Sequence, residues 1–170
     1  REQHHMIDMH CHLLPGLDDG PATLVEAVAL ARLAVADGIT TSVVTPHIHP
    51  GRYNNHREKI LVYLRAFRLA LEQQAIPLEL RLGAEVRVCI ESLELLKLGK
   101  VPFMGEHQGF RVVLLELPHG TVPVGTLRLV DKLVQMNIRP MIAHPERNKA
   151  IMDKPARIEP FLAAGCWLQL

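Results

Sequence analysis

The 170-residue chain predicts an α/β domain built on a parallel sheet, open or closed. Three observations carry that expectation. Short β-type runs alternate with longer helical patterns. Most of the strand candidates start roughly 30 residues apart, the length of one βα unit. Hydrophobic residues make up 48% of the chain and charged residues 22%, a composition that can bury one sizeable core.

The strand candidates are "MIDMHCH" (6–12), "TTSVVTPH" (40–47), "LELRLGAEV" (78–86), "RVVLLEL" (111–117), "RPMIAH" (139–144) and "CWLQL" (166–170). Thr23 and Glu26 form a T-x-x-E capping box ahead of "LVEAVALARLAVA", with Gly38 suited to the C-terminal cap. That helix is apolar nearly all round, which predicts deep burial. Asn55 and Glu58 suit the start of a second helix, whose Ile60, Leu64, Phe67 and Leu71 share one face. A third carries Leu127, Val130, Leu133 and Val134. A fourth carries Ile158, Phe161 and Leu162 before Gly165, kinked or delayed by Pro160. No repeat, low-complexity tract or linker divides the chain, so residues 6–170 are expected to form a single domain behind a disordered leader over residues 1–5.

A net charge of +1 gives no electrostatic case for nucleic acid or an anionic membrane. No apolar run is long enough for a membrane span, and no signal peptide is read ahead of the first strand. Three well-separated cysteines (Cys11, Cys89, Cys166) favour reduced thiols in a cytoplasm over a disulfide framework. None has an arginine six positions later, so the C-x5-R loop of thiol phosphatases is missing, as is any G-x-x-x-x-G-K phosphate loop.

The polar residues collect at strand ends. His10 and His12 are two apart and leave one face of a strand, with Cys11 on the other. His47, Glu85, Glu116 and His144 close the next four runs. In parallel α/β folds the C-terminal strand ends bind ligands. A lone histidine there is usually a hydrogen-bonded core residue, and a lone glutamate usually an ion-pair partner. Recurrence on five strands favours a metal centre instead, because converging imidazoles and carboxylates offset their burial by binding a cation. Mixed nitrogen and oxygen donors suit Mn, Fe or Zn. The remaining histidines read as bystanders: His4 and His5 in the leader, His56 in a helix's first turn, His107 and His119 in loops. Cys11 and Cys89 read as packing residues.

The segments "MIDMHCHLLPGLDDGP", "TPHIHPGRY", "GAEV", "LLELP" and "IAHPERN" together resemble the polymerase and histidinol phosphatase (PHP) superfamily. Within it they closely resemble the manganese-dependent tyrosine-protein phosphatases of bacterial capsule and exopolysaccharide operons. The resemblance runs from Met6 to Leu170 and implies a distorted (β/α)7 TIM-like barrel of the PHP type. It also implies up to three Mn2+ ions. His10 and His12 would hold the first, and Glu85 would bridge it to the second. Glu116 and His144 would complete the second, while Asp19, favoured by spacing over Asp18, and His47 would serve the third. Arg147 would grip the substrate phosphate, and His49 and Arg52 fall on the substrate side.

The substrate so implied is phosphotyrosine on the tail of a membrane tyrosine autokinase. The family pattern ends in a further D-x-H that does not follow "CWLQL" here. About two-thirds of the family domain is therefore expected, with the first and third sites short of a ligand and weak in metal, poor phosphatase activity in this chain, and an open strand edge that invites self-association. The rival readings are another PHP reaction, such as histidinol-phosphate hydrolysis or exonuclease action, and a non-catalytic metal-binding fragment.

Overall fold

Pairing in the chain is mostly parallel and falls into two sheets, as a computed structural model covering residues 6–170 shows. The leader expected over residues 1–5, with His4 and His5, lies outside the described residues. The first sheet has the order β1 (Met6–Cys11), β2 (Ile39–Val44), β4 (Glu79–Leu82). The second runs β3 (His47–Ile48), β5 (Glu85–Arg87), β7 (Phe110–Glu116), β8 (Ile138–Ala143), β9 (Trp167–Gln169). A short β6 (Gly105–His107) joins β7 in an antiparallel hairpin. Helices α1 (Leu24–Ala36), α2 (Arg57–Gln73), α3 (Ile90–Lys97), α4 (Thr126–Gln135), α5 (Lys149–Asp153) and α6 (Glu159–Ala163) fill the connections. Among the described residues no helix is long and apolar enough to cross a membrane.

The mixed α/β expectation holds; a closed barrel is not found among the described residues, where β1 pairs with β2 and β9 with β8 on one side each. Two predicted strands divide. The 40–47 run breaks at Thr45–Pro46, so β2 belongs to one sheet and β3 to the other. The 78–86 run breaks at Gly83–Ala84 in the same way, between β4 and β5. Proline has no N–H to continue a ladder. At Gly83 a Cβ would lie 2.9 Å from Val43 Cγ1 and 3.1 Å from the Val44 carbonyl oxygen, so only glycine lets the strands cross this closely. Two backbone bonds stitch the seam: Thr45 N–H donates to the Cys11 carbonyl (2.8 Å) and Glu85 N–H to the Pro46 carbonyl (3.1 Å).

The helices show where periodicity suffices and where it fails. The capping box at Thr23 and Glu26 forms in both directions, and Gly38 takes φ 92° just past the end of α1. Deep burial of α1 does not follow. Ala27, Val28 and Ala31 face the core, while Leu24, Val25, Leu30 and Leu33 are exposed. An all-round apolar pattern says nothing about how many faces find a partner, and the small residues give the closest approach.

In α2 the predicted face (Ile60, Leu64, Phe67, Leu71) is fully buried. Its N-cap is His56, whose Nδ1 accepts from Lys59 N–H; the expected cap, Asn55, is used elsewhere. Pro160 sits in the first turn of α6 after a 3-10 turn over Pro155–Ile158, so it delays the helix as expected. His107, expected in a loop, lies in β6 with its ring edge-on to Trp167 at 5.2 Å. The β6–β7 hairpin turns on Gln108 and Gly109, both at positive φ (51° and 79°).

The seam gives a stability prediction. Gly83→Ala should lower the urea midpoint, by about 1–3 kcal/mol for overpacking a closed site. Gly105→Ala has nothing within 4 Å of its new Cβ and should move the midpoint far less. Equal midpoints for the two variants would contradict the close crossing at Gly83.

Candidate metal centre

Splitting the two strands at the seam places His47 and Glu85 at the first positions of β3 and β5, in register with each other. Both therefore stand where one sheet hands over to the next. Beside them, the β1 pairing slips between Asp8 and Cys11, and His10 N–H is taken by the Asp8 carboxylate at 3.0 Å. The irregularity brings the two histidines beyond it together, with His10 Nε2 and His12 Nε2 3.2 Å apart.

Glu85 is the hub. Its carboxylate is 1% exposed, and His10 Nε2 and His12 Nε2 lie 3.1 and 3.2 Å from Oε2. His47 Nδ1 is 3.4 Å from the same oxygen, and His144 Nε2 is 2.7 Å from Oε1. Burial alone would raise the Glu85 pKa, but the hydrogen bonds from His10, His12 and His144 win and hold the carboxyl far below the usual range. His12 responds in the opposite sense. Burial disfavours its charged form, yet Asp18 and Glu85 outweigh that and push it up to about 10. Glu116 is pushed upward by burial and by the charge of Glu85.

Three groups of donor atoms lie close enough to share a cation: His10, His12 and Glu85; His12, Asp19 and His47; His47, Glu85 and Glu116. His144 joins through Glu85. The donor set fits a divalent ion on independent grounds. His47 Nδ1 and Glu116 Oε2 are buried with no hydrogen-bond partner and lie 3.6 Å apart, and His47 Nδ1 is 3.4 Å from Glu85 Oε2. Arg87 Nε approaches that Glu116 oxygen at 3.2 Å without hydrogen-bond geometry, so a cation between the carboxylate and the imidazole would still pair both.

All ten residues singled out from the sequence line one cavity of about 440 Å³. The seven proposed ligands are all among its lining residues. Arg147 ends the 3-10 turn Pro145–Arg147 that follows His144, and its side chain is exposed at the mouth. His49 and Arg52 come from a tight turn closed by paired bonds between His49 and Tyr53, with Gly51 at φ 84°.

Further residues in and behind the cavity wall go beyond those the sequence points to. Asp18, weighed only as a rival to Asp19, is fully enclosed at 0% side-chain exposure against 56% for Asp19. It accepts from His12 Nδ1 (2.7 Å), His47 N–H (2.8 Å) and Gly20 N–H (3.0 Å), and supports the histidines. Arg87 lies across the β5–β7 ladder from Glu116, with Nε 3.2 Å from its carboxylate. Tyr53 stacks on His47 at 5.4 Å, and Gln169 Oε1 is 2.6 Å from His10 Nδ1. His119, expected in a loop, also reaches the cavity. The "DDG" pair was visible as a signal, but which aspartate turns inward depends on the turn. Asn55 has a new role here, donating to the His47 and Leu17 carbonyls.

The capsular polysaccharide synthesis CpsB/CapC family model matches residues 6–170. The chain belongs to the CpsB/CapC family. It is 36% identical over 148 residues to the CapC protein of Staphylococcus aureus, covering 87% of this chain and 57% of that one. It is 32% identical over 165 residues to the tyrosine-protein phosphatase YwqE of Bacillus subtilis (strain 168), covering 97% and 64%. Work on YwqE of B. subtilis and CpsB of Streptococcus pneumoniae, described as metal-dependent tyrosine phosphatases, includes a solved structure with TM-score 0.90 at 32% identity. The match covers 97% of this chain and 66% of that one. This CpsB/CapC chain thus spans less than two-thirds of the length of those relatives.

The Cys11 thiol, between the two histidines in sequence, donates to the Val43 carbonyl at 3.4 Å. Burial pushes Cys11 up to about 12 and Cys166 up to about 11. At pH 8 roughly one Cys11 in ten thousand would be thiolate, the form that reacts. Iodoacetamide at pH 8 should therefore leave both unlabelled by mass spectrometry while free cysteine reacts to completion. Rapid labelling of Cys11 in the folded chain would show that burial does not protect it.

Proposed function

We propose that this chain carries the centre of a metal-dependent phosphomonoester hydrolase acting on phosphotyrosine in proteins. The observation that carries the reading is the buried Glu85 carboxylate ringed by four imidazoles, with Arg147 and Arg52 at the mouth of the same cavity. The names of the CpsB/CapC relatives support the phosphotyrosine part.

His10, His12 and Glu85 would hold one divalent ion, Glu85, Glu116 and His144 a second, and Asp19 with His47 a third. Manganese is the metal the resemblance favours, and iron or zinc also suits these donors. When bound, such ions supply Lewis acidity and make water nucleophilic near neutral pH. The chain's own residues do the rest. Arg147 presents a planar guanidinium to two non-bridging phosphate oxygens, neutralising charge as it builds. Arg52 and His49 line the side from which a phosphotyrosyl ring enters, next to the flat face of Tyr53. Asp18 keeps His12 oriented through Nδ1, so that Nε2 faces Glu85. Arg87 Nε, 3.2 Å from the Glu116 oxygen that also faces His47, holds that carboxylate in place.

We further infer that the two sheets, stitched at Thr45 and Glu85, are arcs of the distorted barrel that the resemblance implies. The natural substrate on this reading is the phosphorylated tail of a tyrosine autokinase met in the cytoplasm, where three free thiols stay reduced.

The test is hydrolysis of a phosphotyrosine peptide by the purified chain, with phosphoserine peptide and histidinol phosphate as competitors. Phosphotyrosine should be preferred, activity should vanish with chelator and return with Mn2+, and iodoacetamide should do little. Arg147→Lys keeps the charge but loses the bidentate grip. That costs about 1.5–3 kcal/mol, or roughly ten- to a hundred-fold in kcat/KM, with metal content unchanged. Preference for histidinol phosphate would move the chain to another reaction of the superfamily. Loss of metal in Arg147→Lys would make Arg147 a structural residue.

A further inference from the structure

Gln169 touches the ligand cluster twice. Its side-chain Oε1 lies 2.6 Å from His10 Nδ1, and its backbone carbonyl accepts the His144 N–H at 2.6 Å. The second contact follows from register, since Gln169 pairs with Ala143 in the β8–β9 ladder, one residue before His144. The two histidines so gripped stack on each other, with ring centroids 5.6 Å apart and planes 26° off parallel. Their Nε2 atoms address opposite oxygens of one carboxylate: His10 faces Glu85 Oε2 and His144 faces Oε1.

Two details make this more than proximity. The Gln169 amide nitrogen is engaged by the Leu170 carbonyl at 2.7 Å, which leaves the amide oxygen for His10. An oxygen can only accept, so His10 Nδ1 must carry the proton and Nε2 is left to face the cluster. His144, meanwhile, sits at φ 31°, ψ 57°, a left-handed conformation that a β-carbon makes unfavourable. Its N–H bond to Gln169 helps to hold it there.

We propose that Gln169 is a positioning residue for the metal centre: it sets the ring nitrogen that His10 offers and couples His10 to His144 through one strand residue. It does for His10 what Asp18 does for His12, but as a neutral acceptor in place of an anion. The inference rests on the metal reading of the site. Outer partners of this kind, when removed, weaken metal binding about 10–100-fold.

The experiment compares the full chain with Gln169→Leu, which removes the acceptor at similar size, and Gln169→Glu, which keeps one. Two readouts are taken. Proton NMR of the metal-free chain should show an exchange-protected Nδ1–H of His10, present whether that ring is neutral or charged. It should be lost in Gln169→Leu and retained in Gln169→Glu. Calorimetric titration with Mn2+ should show affinity lowered about 10–100-fold in Gln169→Leu and rescued in Gln169→Glu.

A wild-type chain without the protected proton overturns the proposal. So does a Gln169→Leu chain that binds Mn2+ as tightly as wild type. If Gln169→Leu fails to fold, by circular dichroism, the protected proton in wild type and in Gln169→Glu still decides. A wild-type chain that takes up no Mn2+ overturns the metal reading as well, and the metal-free spectrum separates the two failures.

Discussion

A carboxylate buried at 1% exposure among apolar strands is a large cost unless its charge is matched. In this protein the match is four imidazoles drawn from three segments distant in sequence: His10 within β1 and His12 just after it, His47 at β3, His144 after β8. Glu85 can hold them only because β5 starts where it does, at a seam between two sheets. The pull is mutual. The same histidines that depress the Glu85 pKa crowd one another, and His12 stays charged only through Asp18 and Glu85. Protons in such a cluster balance negative charge that a divalent ion balances better. Metal affinity and local order thus come from one arrangement.

The seam is the mechanical side of that arrangement. Pro46 ends one ladder by having no N–H, and Gly83 ends another by having no Cβ, and the chain turns at both points into new strands. A continuous β2–β3 or β4–β5 strand would point His47 and Glu85 according to the alternation of the first sheet. The turn re-aims them side by side, with Asn55 and Asp18 fixing the His47 backbone from its two sides. The supporting shell is therefore built from loop residues, Asp18 and Asn55, as well as from the strand residues Arg87 and Gln169.

Much of this was legible in the residues. The β/α alternation, the capping box of α1, the buried face of α2 and the row of histidines and glutamates at strand ends all follow from local chemistry. What was not legible depends on tertiary geometry. Nothing in "SVVTPH" or "LRLGAEV" says that the strand on each side of the break joins a different sheet. The all-apolar α1 pattern could not say that Leu24, Val25, Leu30 and Leu33 would be left exposed. The two aspartates of "LDDG" differ only in how the turn carries them, one inward to His12 and one outward towards His47. Gln169 looked like an ordinary polar residue on a strand, and its contact with His10, 159 positions earlier, exists only after folding. The β6 hairpin was short enough to pass for loop.

The central claim is that Glu85 organises a metal site. Mn2+ titration of Glu85→Gln beside wild type, with circular dichroism to confirm that both are folded, tests it most directly. Glutamine keeps the shape and removes the charge shared by the four imidazoles. The account predicts that Mn2+ binding at the sites sharing this residue is lost in the variant. A folded Glu85→Gln chain that takes up Mn2+ with wild-type stoichiometry and affinity would contradict it.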